Sequence, residues 1–89
     1  MVDLEIIEKH LALNERHVEE AARHVSNQRR IIEQLQEIGG STGIALELLA
    51  TFEANFATHK EERDRLLLEK ELALAGTAYP PSVNSPLQR

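Results

Sequence analysis

The chain has 89 residues, 42% hydrophobic and 28% charged, with a net charge of −5 and neither cysteine nor tryptophan. These values hold it to one small domain and exclude disulfides, thiolate catalysis and cysteine-type zinc sites; an acidic balance also argues against gripping a nucleic-acid backbone. Phe52, Phe56 and Tyr79 are the only aromatic residues, too few for base-stacking platforms. No apolar run approaches the roughly 20 residues of a membrane span, and Met1-Val2-Asp3-Leu4-Glu5 lacks the basic start and apolar stretch of a signal peptide, so a cytoplasmic location without membrane contact is expected.

The first predicted element is a helix over residues 3–39. Leu4, Ile7, Leu11, Asn14, Val18, Ala21, Val25, Gln28, Ile32 and Leu35 recur with alternating gaps of three and four, the spacing of a heptad seam that needs a partner helix. Asp3 can accept from the unpaired amides of the first turn, and Glu5 adds favourable charge at the positive end of the helix dipole. No Gly or Pro interrupts the segment before Gly39. A helix of that length runs about 50 Å, more than its own side-chain pairs can stabilise. The pairs Glu5 with Lys9, Glu19 with Arg23 and Arg29 with Glu33 add a few tenths of a kcal/mol each on the solvent side.

Gly39-Gly40-Ser41-Thr42-Gly43 is the strong interior break. A glycine there can take the left-handed conformation that ends a helix, and Ser41 or Thr42 can cap the next one. So short a turn, over 39–43, makes consecutive helices antiparallel neighbours.

The second helix is predicted over 43–75, with a seam of Ala45, Leu49, Phe52, Phe56, His59, Arg63, Leu66, Lys70 and Ala73. Its stretch from Thr58 to Arg65 has no aliphatic residue. The fold class expected is all-α: a long antiparallel helical hairpin over 1–76, two copies of which make a four-helix bundle. Gly76 is the expected stop, and the prolines at 80, 81 and 86 make residues 77–89 a flexible tail.

The residues expected to carry association are Leu4, Ile7, Leu11, Val18, Val25, Ile31, Ile32, Leu35, Ile38, Leu48, Leu49, Phe52, Phe56, Leu66 and Leu67. Ile6, Leu13, Ile31, Ile38, Leu48, Leu67 and Leu68 lie beside the two seams, where a lone hairpin leaves them partly wet. Asn14 and Gln28 are open to two readings, as buried polar layers that fix register or as solvent-facing residues where the hairpin loosens.

His10, His17 and His24 stand seven residues apart, in one column beside the seam. Neighbours are then roughly 10 Å apart, too far for one metal ion to bridge within a helix. A metal site needs a contribution from elsewhere, either His59 across the hairpin beside His24 or symmetry mates across a dimer, so His17, His24 and His59 are the candidate ligands, with Glu20 as an oxygen donor. The plainer reading makes the imidazoles flanking residues that cover the seam and touch water. A pH response is a third, since imidazoles clustered at an interface charge together below about pH 6.5 and repel.

Catalysis has little support. There is no HExxH and no nucleophile elbow, and the glycine-rich turn lacks the lysine of a phosphate-binding loop. The expectation is a non-enzymatic interaction module that takes no cofactor. Its expected partners are a second copy of itself and an unidentified protein. The alternatives are a histidine-lined metal-binding or pH-responsive regulator, and an acidic adaptor for a basic partner.

His10-Leu11, Glu15-Arg16-His17-Val18, Arg23-His24-Val25, Gln28-Arg29-Arg30-Ile31-Ile32, Thr42, Leu48-Leu49, Phe52-Glu53, His59 and Arg63-Asp64-Arg65-Leu66 together resemble a group of short, uncharacterised bacterial proteins that read as helical hairpins. The resemblance spans about residues 4–68 and implies a bacterial helical-hairpin protein with no assigned activity. Ser41 stands where such chains often carry Asp.

Overall fold

The alternating three- and four-residue spacing turns a line of apolar side chains to one side of each helix, and the chain folds back on itself to bury that line. The computed structural model describes residues 3–78, which form two helices, α1 (Leu4–Glu37) and α2 (Gly43–Ala78), packed against each other as a hairpin. No strand occurs among the described residues.

Asp3 begins α1 as expected, its carboxylate accepting from the Glu5 amide at 2.9 Å. The other end is closed by backbone alone. The Gly40 amide donates to the Leu35 carbonyl at 2.8 Å and the Gly39 amide to the Gln36 carbonyl at 3.1 Å, while Gly39 sits at φ 71°. This paired closure satisfies carbonyls that the last helical turn leaves open, and it requires a left-handed residue at Gly39. The Thr42 carbonyl then accepts from the Leu46 amide at 2.8 Å as α2 begins.

α2 does not stop at Gly76. It continues to Ala78, three residues past the expected end at Ala75, and Gly39 is the one glycine with positive φ among the described residues. A single glycine inside a helix costs only about 1 kcal/mol, which a long preceding helix can absorb. The expected tail over 77–89 thus loses Thr77 and Ala78 to the helix, and its remainder lies outside the described residues.

The core is a thin line. Ile7, Leu11, Ala21, Val25 and Ile32 of α1 are buried, together with Asn14 and Gln28, but among the described residues of α2 only Leu66 joins them. Leu4, Val18 and Leu35 are half-buried, as are Leu49, Phe52 and Phe56 opposite. At the open end Ile7, Leu11 and Leu66 form one cluster against which Ala73 packs. The polar seam residues of α2 are half-buried at their stems: Lys70 reaches Glu8 at 3.5 Å and Arg63 reaches Asp64 at 3.3 Å. Long cationic side chains cover seam with methylenes and keep their charge in water.

Four of the expected interface residues lie off this line. Ile31, Ile38, Leu48 and Leu67 are 45%, 79%, 43% and 41% exposed. Ile31 and Leu48 each precede a seam residue and Leu67 follows one, and a single step along a helix turns a side chain through about 100°.

Replacing Gly39 with Ala should lower unfolding free energy by about 1 kcal/mol, and Gly39→Asn by less, because only the first forces a Cβ into the left-handed region without a compensating side chain. Urea titrations of the three proteins measure it.

Candidate functional site

Two flanks run beside the seam, and they differ in chemistry. On one, α1 presents Glu5, Glu8, Glu15, Glu19, Arg29 and Glu33. Arg29 bonds Glu53 of α2 at 2.8 Å here, and the Glu8–Lys70 pair lies along the same edge. Arg29 was expected to pair along its own helix with Glu33; the guanidinium instead reaches across the hairpin. Lys9 does pair with Glu5 as expected, at 4.0 Å. All are ion pairs at the surface, with Lys70 half-buried, and such pairs are worth about 0–1 kcal/mol each.

The opposite flank holds the histidine column. His17, Glu20, Ala21, His24, Asn55 and His59 line an open cleft of about 180 Å³, and His10, Leu13, Asn14, His17, Glu62 and Leu66 line a second of similar size. His17 and His59 come together, their rings 5.3 Å apart at 49°. His24 instead lies 5.3 Å from the Phe52 ring at 41°, so the three candidate metal ligands divide into a pair and a single residue. Among the described residues no group of three or more His, Asp or Glu side chains is placed to hold a metal ion.

Asn14 and Gln28 are both buried, which decides between their two readings. Gln28 Nε2 donates to the Ala45 carbonyl at 2.9 Å and Asn14 Nδ2 to the His59 carbonyl at 3.3 Å, tying α1 to the backbone of α2 near each end of the histidine cleft. Asn14 Oδ1 is buried with no hydrogen-bond partner among the described residues. Lys60 Nζ lies 4.3 Å from the centre of the Phe56 ring, a cation held against an aromatic face.

Arg65 is a residue that seam spacing alone overlooks. It bonds Glu62 one turn before it and Glu69 one turn after it, the signal being i−3 and i+4 carboxylates around one guanidinium. The Arg65 hydrogen bond holds the Glu62 carboxyl below its ordinary value against the opposing effect of desolvation, with lesser attractions from the charges of Arg65 and then His10. Arg65 is pushed up in turn by Glu62 first and then Glu69.

What the fold and its flanks define is an antiparallel two-helix hairpin with a glutamate-rich side and a histidine-bearing side. No protein-family profile, no curated protein and no solved structure matches the chain. No helix among the described residues is long and apolar enough to cross a membrane.

Since the folded-state value of Glu62 is depressed, its pairing supports the fold above the ordinary carboxylate range, and that support is lost as acid protonates the group. In carbon-detected NMR titration the Glu62 carboxyl should have a midpoint below the ordinary glutamate value, and Arg65→Met should raise it.

Proposed function

We propose that this protein is a non-enzymatic structural or protein-interaction module, a helical hairpin that associates with a second copy of itself to form a four-helix assembly. The observation that carries this reading is the amount of aliphatic surface left outside a thin core. Eleven large aliphatic side chains are exposed among the described residues, while six apolar residues are buried and none is fully enclosed. Seven of those exposed residues, Ile6, Leu13, Ile31, Ile38, Leu48, Leu67 and Leu68, are the ones expected to stay wet in a lone hairpin.

Two helices side by side make a single layer, and each has only one line facing the other. Small domains are marginal even with an enclosed core, and contiguous exposed apolar surface marks an interaction site. Packing two hairpins converts a line into a core shared by four helices, and the commonest closed symmetry for such a pair is a two-fold.

Light scattering at micromolar concentration should give about twice the chain mass of 10.0 kDa, with mass and helicity falling together on dilution. A stable, fully helical species at the monomer mass would overturn this reading.

A second reading draws on the His17–His59 approach. Two imidazoles with ring centres 5.3 Å apart supply two nitrogen donors, and a second copy would supply the remaining ligands, since no group of three among the described residues of one hairpin is placed to hold an ion. On this reading Zn²⁺ or Co²⁺ shifts the scattering mass and the His17 and His59 ring resonances at stoichiometric concentration. Unchanged mass and resonances up to a tenfold excess would remove it.

A further inference from the structure

We infer that the second copy docks on the histidine-bearing flank, with α1 lying antiparallel on α1 and the two turns at opposite ends of the assembly. This deepens the self-association reading and rests on it.

Of the two flanks, this one has the composition of an interface. It carries seven of the eleven exposed aliphatics: Ile6, Leu13 and Leu72 at the open end, and Ile31, Ile38, Ile44 and Leu48 at the turn end. Along α1 its one formally charged residue is Glu20, and α2 adds Glu62, Arg65 and Glu69, which neutralise one another in part. The opposite flank carries the five glutamates and the arginine named above, together with Glu53 and Lys70 of α2. Interface cores are depleted in charge relative to the rest of a protein surface.

The order of residues on the flank identifies the occupant. The α1 positions involved alternate by four and three, a second stripe parallel to the seam, and its polarity reads the same from both ends. When the stripe is turned end for end about a point near Ala22, Ile6 falls on Ile38 of the second copy and Leu13 falls on Ile31. His10 then falls on Gln34 and His17 on Asn27. At the middle Glu20 meets His24, and the two-fold makes that contact twice, an imidazole N–H facing a carboxylate each time. Isologous contacts demand this reciprocity, in which residue i meets j and j meets i. An unrelated partner would require no such palindrome.

The rival arrangement places both turns at one end and packs α1 on α2 of the second copy. Hairpin register then sets Leu13 opposite Arg65, whose guanidinium is held by Glu62 and Glu69, and Gln34 opposite Ile44. Both contacts pair an aliphatic group with a polar one, although the same register sets Ile6 opposite Leu72 and Ile31 beside Leu48, so it is the end-for-end match along α1 that selects the α1-on-α1 arrangement.

The absence of cysteine makes the geometry directly testable. Leu13→Cys chain labelled with ¹⁵N is mixed with unlabelled Ile31→Cys chain, equilibrated under reduction, oxidised mildly and weighed by mass spectrometry. The mixed disulfide should exceed either self-disulfide by about tenfold or more, because in an antiparallel pair the two Leu13 positions stand about 27 Å apart at ~1.5 Å per residue. In parallel, Leu13→Glu should weaken the dimer by about a hundredfold and Leu68→Glu, on the outer side of α2, by less than about threefold, helicity being followed by circular dichroism. A dimeric wild type that gives no mixed disulfide, or that Leu68→Glu disrupts and Leu13→Glu does not, would overturn this geometry and leave self-association standing. A monomeric wild type would overturn both.

Discussion

Two α-helices can share only one line of contact, and everything else in this molecule follows from how that line is filled. α1 meets the requirement with small and medium aliphatic side chains at nearly every seam position. α2 meets it with Phe52, Phe56, His59, Arg63 and Lys70, groups too long or too polar to be enclosed by one facing helix. The result is an asymmetric seam, in which α1 is covered and α2 does the covering. Half-burial of the α2 seam is therefore a consequence of side-chain size as well as of sequence polarity, and the stems of Arg63 and Lys70 serve as lids while their charged ends reach Asp64 and Glu8.

Asn14 and Gln28 divide that seam into segments. Each places an amide where an aliphatic would pack, and each donates to a carbonyl of α2, so sliding the helices by one turn would strand a buried polar group. The Gln28 contact is short and the Asn14 contact long, with Asn14 Oδ1 left unpaired. The two layers are thus unequal: Gln28 fixes register near the turn at little cost, whereas Asn14 exchanges some stability for the same service. An apolar residue at either position would remove this penalty and with it a reason for the helices to keep one alignment.

The helices, the position of the turn and the cap at Asp3 were all legible in the sequence, because each depends on local chemistry: heptad spacing, a carboxylate before a helix, and a glycine pair with no alternative role. Less could be read wherever two helices had to be placed against each other. Periodicity puts Asn14 and Gln28 on the seam but cannot say whether the seam is dry there. Arg29 has carboxylates within reach on its own helix and on α2, and only the hairpin register brings Glu53 into range. The histidine column was visible as a spacing of seven, yet the split between His17 on His59 and His24 on Phe52 depends on ring positions that no spacing specifies. Gly76 misled for another reason: glycine terminates a helix only when the following chain turns away, and here the helix continues.

The left-handed residue at Gly39 also bears on the order in which the hairpin forms. Gln28 and Ala45 are 17 residues apart, Asn14 and His59 are 45 apart, and the buried cluster of Ile7, Leu11 and Leu66 closes longer loops still. Closing the Asn14 contact first costs roughly 0.9 kcal/mol more chain entropy than closing the Gln28 contact first. The lowest-entropy route therefore zips from the glycine turn toward the termini, reaching the best-packed cluster last. On that route the reversal at Gly39 belongs to the nucleus and governs how fast the hairpin closes, while the aliphatic clasp at the far end governs how long it stays closed.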